Sequence, residues 1–269
     1  TRSFPFLMVM HFLQGHFRKA LESYELFQKS THTPVLPLME SQIVLQAASS
    51  ATYLGHFSHA VGMLKSAIST ADIAGRTMQG MLYRQHLGVL YAYMRRENDA
   101  LELLQSVVAR STMAANPKLM LRSFAAIALC HARMGKVEAS YELLSNTLQR
   151  ARRYPSFSFS YNYLWMLELG VLYAGRGYPP LPGIDLEELF AKAETSPSAM
   201  MRGHALRLKA HLKQQQGESP ENLLSLLDRS LAILEEGKTP VECGLTQRRR
   251  ASVLRRLGRM NEAEEAEKA

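Results

Sequence analysis

Apolar residues recur along this chain at helical spacing, in paired blocks punctuated by glycine. Upstream of Arg95, Leu82, His86, Leu87, Leu90 and Tyr91 fall on one face at i, i+4, i+5, i+8 and i+9. Downstream, Ala100, Leu103, Leu104 and Val107 do the same. No sustained period-two alternation occurs, and neither Asn-Gly nor Asp-Gly is present, so the pattern predicts helices and no strands.

The blocks repeat. Gly15-His16-Phe17 is followed by Ala20 and Tyr24, and Gly55-His56-Phe57 by Ala60 and Leu64. The same slot then holds Arg95, Gly135, Gly177, Gly217 and Gly258, at spacings of 40, 40, 40, 42, 40 and 41. Self-similarity at a fixed period of this length predicts an array of stacked hairpins. Glycine suits the turn because it takes positive φ where a helix ends. The small residue five positions on lets the two helices of a hairpin approach closely.

Seven hairpins follow. First helices are expected near 3–14, 38–54, 77–94, 116–134, 158–176, 197–216 and 239–257; second helices near 17–30, 57–73, 97–112, 137–153, 185–195, 219–236 and 260–268. The corresponding units run 1–37, 38–76, 77–115, 116–156, 157–196, 197–238 and 239–269, within a single repeat domain over 1–269. Prolines mark boundaries at Pro34, Pro37, Pro117, Pro155, Pro197, Pro220 and Pro240; four of them, Pro117, Pro197, Pro220 and Pro240, fit a first helical turn. Ser219 and Thr239 are expected N-caps, Thr239 with Glu242 at the capping-box position. The fifth unit is irregular. Pro179, Pro180 and Pro182 fall where its second helix should begin, as a surface insertion or a break in the array, the insertion being favoured. The first residue is not methionine and the last helix stops two turns in, so the segment is expected to belong to a longer chain.

Composition narrows the class. With 46% hydrophobic residues the chain is neither disordered nor, lacking a run of about 20 apolar residues, membrane-spanning. The window Phe4–Leu13 is too short for a span and lacks a secretory cleavage site. Two cysteines, Cys130 and Cys243, form no CxxC pair, which argues against a disulfide framework and for a reducing, cytoplasmic setting. Cys130, in an Ala-rich helix, is expected to be a small buried filler, and Trp165 with Tyr161 and Tyr163 to pack in the core rather than form a recognition patch.

These residues resemble the tetratricopeptide repeat family. Leu87-Gly88-Tyr91 and Leu169-Gly170-Tyr173 match its first helix; Gly15-Phe17-Ala20-Tyr24 and Gly55-Phe57-Ala60-Leu64-Ala67 match its turn and second helix. Phe27 for the final Ala, Arg95 for Gly, and the proline insertion depart from its pattern. The resemblance implies an all-α, right-handed superhelical solenoid of about seven antiparallel hairpins. Units of about 40 residues are similar to those in the sensory domains of bacterial LuxR-type, maltose-activator-like regulators and of sigma-N-dependent activators. That similarity implies a non-catalytic, signal-receiving domain of a transcriptional regulator.

No chemistry competes with that reading. Walker, HExxH, GxSxG and GxGxxG motifs are absent. His56, His59 and His86 lack the further ligands that a metal needs, so neither a metal nor a cofactor is expected. The formal charge of +8 divides unevenly: 13 basic against 7 acidic residues up to Met134, and 19 against 17 beyond it. In the last two units arginine and lysine crowd the first helices and glutamate the second.

In the resembled family, first helices line the concave groove. Its groove positions fall here on Gln42, Gln46 and Tyr53; on Gln85, His86 and Tyr93; on Arg122 and Arg133; and on His204, Arg207, His211, Arg248, Arg249, Arg255 and Arg256. Arginine matches carboxylate or phosphate bidentately, so the expected partner is a protein or peptide, acidic ones included, or a small anionic effector, alongside flanking regulatory domains of the same chain. Neither a membrane nor direct nucleic-acid contact is expected. The alternatives are a nucleic-acid-binding helical repeat, suggested by net charge, and a purely structural scaffold or oligomerisation arm.

Overall fold

In the computed structural model, residues 4–30, 37–112, 115–151 and 163–268 are described. Among them every regular element is an α-helix. The order is α1 (Phe4–Leu13), α2 (Phe17–Ser30), α3 (Pro37–Tyr53), α4 (Phe57–Ile73), α5 (Thr77–Tyr93), α6 (Glu97–Ala109), α7 (Pro117–Arg133) and α8 (Val137–Ala151). It continues with α9 (Tyr163–Ala174), α10 (Leu186–Glu194), α11 (Ala199–Gln215), α12 (Pro220–Glu236), α13 (Pro240–Arg256) and α14 (Met260–Lys268). The chain packs as two compact units, residues 1–162 and 163–269. The expected helix start at 158, with Pro34, Pro155, Tyr161 and the Tyr163 side chain, lies outside the described residues. No helix among those described is long and apolar enough to cross a membrane.

Each unit has a row of first helices and a row of second helices. In unit 1, α1, α3, α5 and α7 pack side by side, each also against its own partner helix; in unit 2, α9, α11 and α13 do so. The hairpin turns close identically. At the second, Gly55 N–H donates to Thr52 O (3.0 Å) and His56 N–H to Ala51 O (2.8 Å), which satisfies the last carbonyls of α3. Arg95 closes its turn the same way, Arg96 N–H reaching Tyr91 O at 2.9 Å, and does so at φ +61°. The repeat geometry thus overrides the side chain's aversion to that conformation.

Small residues set the helix separation. Ala20, Ala60, Ala100, Ser140 and Ala263, five positions after five of the seven turn residues, are fully buried; Pro182 and Asn222 hold the other two slots. Ser140 adds a hydrogen bond from its hydroxyl to Ala128 O (2.6 Å) of the facing helix. The glycines of both Leu-Gly pairs mark close approach: a Cβ on Gly88 would lie 2.7 Å from Leu104, and one on Gly170 2.4 Å from Leu186. Those leucines come from the second helices α6 and α10.

Two local expectations are refined. Ser219 caps α12, accepting from Asn222 N–H (3.3 Å). Thr239 makes no such cap. Its hydroxyl donates back to Leu234 O (3.1 Å), and Glu242, instead of closing a capping box, is drawn into the interior. The proline-rich segment after Gly177 leaves Pro179 and Pro180 exposed but is anchored by buried Leu181 and Ile184, and Asp185 caps α10 through Glu187 and Glu188 N–H.

Candidate binding site

Tyr53, His86 and Arg122 come from three successive first helices of unit 1 and converge. They stand 2, 9 and 13 residues before their turn residues, Gly55, Arg95 and Gly135, so the side chains rather than the registers complete the approach. His86 Nδ1–H donates to Leu82 O one turn back (3.3 Å), which leaves Nε2 as the acceptor for an Arg122 N–H at 2.9 Å. Burial, and then the Arg122 charge, hold the His86 imidazole well below its ordinary value of 6.5. It is therefore neutral, and neutrality is what lets it hold a guanidinium.

Arg122 is the exceptional cation of this unit. Burial pushes it down to about 10, against the opposing influence of the nearby Tyr53 hydroxyl. Its Nε is buried without a hydrogen-bond partner, and no carboxylate among the described residues pairs with it. A cation so placed is under-solvated, and an incoming anion would relieve that.

Around this point the face is aromatic. The Tyr53 ring lies 4.7 Å from Phe17 and 6.0 Å, edge-on, from Tyr93, which in turn is 6.4 Å from Phe57. Arg133 donates to Ala92 O (2.6 Å) and so tops the C-terminus of α5. Gln42 is exposed; Gln46 is half-buried, with a buried side-chain oxygen that has no partner. Gln85 is placed differently: it is buried, and its amide is spent on Leu119 O (2.6 Å) and Ser123 Oγ (3.2 Å) of α7.

Unit 2 brings its predicted residues together in another way. His204 and Arg207 are buried, and both donate to Glu242 Oε2, at 3.0 and 2.7 Å. Arg207 also donates to Glu242 O (3.2 Å) and Thr246 Oγ1 (3.1 Å). Glu242, 1% exposed, is the residue that sequence reasoning missed. A usable signal was present, since Glu242 stands 38 and 35 positions after His204 and Arg207, just under one repeat.

Beside this network, His211 is held down to about 4, first by burial and then by Arg249. Arg249 is itself lowered by burial and by Arg207, and donates to Gln214 (3.3 Å). Arg248 and Arg256 are exposed, and Arg255 pairs with Glu267 across to α14 at 2.5 Å. Basic first helices and acidic second helices thus meet in part directly, as Arg250 and Asp228 also do (2.6 Å). Elsewhere, Cys130 is fully buried, its thiol pushed up to about 11 by that burial.

No family model and no curated protein matches this chain. Twelve chains of solved structures do. One is a Rap protein crystallised with competence and sporulation factor, 12% identical, matching over 98% of this chain and 71% of that one with a TM-score of 0.70. At that identity the likeness establishes the fold, an all-α helical repeat of the tetratricopeptide type.

Proposed function

We propose that this chain is the non-catalytic, signal-receiving domain of a bacterial transcriptional regulator, and that the first-helix face of unit 1 captures a carboxylate-bearing peptide or partner segment. Arg122 carries the reading: a guanidinium held in place by a neutral histidine, with a buried N–H to spare and no acid of its own. A ligand carboxylate would meet the partly exposed guanidinium, while the Tyr53–Tyr93 pair offers apolar surface to the adjoining residues. In unit 2, Arg249 and His211 offer a similar, separate opportunity. The Rap protein of like fold, crystallised with competence and sporulation factor, supports a peptide or protein partner. Flanking domains of the same cytoplasmic chain would transmit the signal.

Fluorescence anisotropy with labelled acidic peptides and with labelled DNA and RNA oligonucleotides tests this. Acidic peptides should bind, and Arg122→Gln should weaken them about tenfold, the scale of one charge-assisted contact, with the helical circular dichroism signal unchanged. Two results would overturn the reading. One is oligonucleotide binding that falls steeply with salt while peptides stay inert; the other is peptide binding indifferent to Arg122→Gln.

A further inference from the structure

Inside unit 1, residues of α2, α3, α4 and α5 enclose a cavity of about 530 Å³ that shares no lining residue with the Arg122 site. Its wall on α4 is Ser58, Gly62, Ser66 and Thr70, which stand 3, 7, 11 and 15 residues after Gly55 and share one helix face. The same four positions hold Asn98, Glu102, Ser106 and Arg110 in α6, and Glu138, Glu142, Asn146 and Arg150 in α8. Those two helices carry charge along that stripe. In α4 the stripe is small and neutral, and a Cβ on Gly62 would meet nothing within 4 Å, so the space stays open.

One ion pair lines this cavity. Arg76 Nη1 donates to Glu40 Oε2 at 3.1 Å, both side chains being 44% exposed. Glu40 Oε1 and the remaining Arg76 side-chain N–H groups make no hydrogen bond among the described residues. Each partner therefore keeps part of its charge-assisted capacity unused.

Two buried phenols lie near the pair and also line the cavity. Burial pushes the Tyr24 and Tyr83 hydroxyls above their ordinary value of 10, and the Glu40 charge acts on both in the same direction. Both therefore remain neutral donors. Tyr83 is anchored on Ser41 Oγ (3.5 Å), as is Gln79 (3.0 Å). Tyr24 accepts from Gln28, and its own proton meets no acceptor among the described residues.

We propose that this cavity binds a free α-amino acid with an apolar side chain, held head to tail against the Glu40–Arg76 pair. A lone anion is repelled by Glu40 and a lone cation by Arg76, so either must separate the pair. A zwitterion leaves it intact: the carboxylate faces Arg76 and the Tyr24 proton, and the ammonium faces Glu40 Oε1. In an α-amino acid the nitrogen and the carboxyl carbon lie about 2.5 Å apart, close to the 3.1 Å of the protein's own pair. The termini of a peptide are further apart by about 3.5 Å of chain for each added residue, so a peptide does not close on one ion pair. Val44, Met63 and Ala67 supply an apolar wall for the side chain. The site does not rest on the reading of Arg122.

Isothermal titration calorimetry of the full chain with leucine, methionine and phenylalanine tests this. At least one should bind, about tenfold or more tighter than the amine and the acid that each lack one of its charges. For leucine these analogues are 3-methylbutylamine and 4-methylpentanoate. Glu40→Gln and Arg76→Gln should each weaken binding about tenfold with the circular dichroism signal unchanged. Lys65→Gln, at an exposed position of α4 outside the cavity, should leave affinity within about twofold. Gly62→Leu fills the cavity without touching the ion pair. It should abolish binding while the thermal midpoint of the free chain holds or rises, because leucine is the better helix former. Three results each overturn the proposal: no binding of any of the three amino acids at millimolar concentration, equal affinity for the analogues with one charge, or undiminished binding in Gly62→Leu.

Discussion

His86 and Arg122 define each other's ionisation. The imidazole accepts from the guanidinium only while neutral, and folding keeps it so: its folded value lies well below the 6.5 of the unfolded chain. The sign of the pH dependence follows. Above about pH 6.5 both states hold a neutral His86 and the contribution is complete; as pH falls below that, the unfolded chain takes up the proton first and stability is lost. His211, held to about 4, acts in the same direction between pH 6.5 and about 4. Thermal unfolding followed at pH 7.5, 6.5 and 5.5 should therefore show a midpoint that drops on acidification. In His86→Gln, whose amide oxygen accepts from Arg122 at every pH, the drop should be smaller; an unchanged slope would mean that His86 is not the group responsible. Sequence reasoning selected both residues as groove positions, but their contact depends on two side chains bending one turn along neighbouring helices, which spacing alone does not encode.

At the level of the helix, α4, α6 and α8 each carry a deeply buried leucine nine residues after the turn: Leu64, Leu104 and Leu144 are at most 1% exposed. Leu104 sits where Gly88 leaves room for it, so α5 and α6 touch through that pair. Leu104→Ala should cost about 3 kcal/mol, since both burial and close packing are lost, and chemical denaturation would read this directly. The turns themselves depend on the backbone. Gly135 has φ +83° and open space around its missing Cβ, so Gly135→Ala should cost about 1 kcal/mol through conformation alone, without a steric clash. Arg95 shows the converse, a side chain tolerated at φ +61° because the surrounding hydrogen bonds over-determine the turn. Helix positions were legible because periodicity, turn residues and small-residue slots all agreed. The failed cap at Thr239 was not, since the pull on Glu242 comes from α11, 35 residues earlier, while the hydroxyl turns back to Leu234 O at the end of α12.

For the molecule as a whole, the two compact units each own a buried polar centre. Glu242 in unit 2 is paired twice, and removing its charge leaves Arg207 buried without a counter-ion. Glu242→Gln should therefore destabilise unit 2 by about 3 kcal/mol. The single tryptophan, Trp165, lies in α9 of the same unit and reports its unfolding by fluorescence. Hydrogen exchange in α5 and α7 of unit 1 should stay unchanged; loss of protection there would show that the two units share one cooperative transition.

What the sequence by itself determined is the helical repeat: helix placement, the slots for turn residues and the spacing of hairpins, because each follows from local periodicity and backbone preference. What the tertiary structure decided is which polar side chains are spent and which are free. Gln85, His204 and Arg207 hold neighbouring helices together, whereas Arg122 keeps a buried N–H unused and Arg248 stands exposed. That division turns on pairing across about one repeat of sequence, where a single residue on the facing helix, such as Glu242, converts a candidate ligand contact into structural cement.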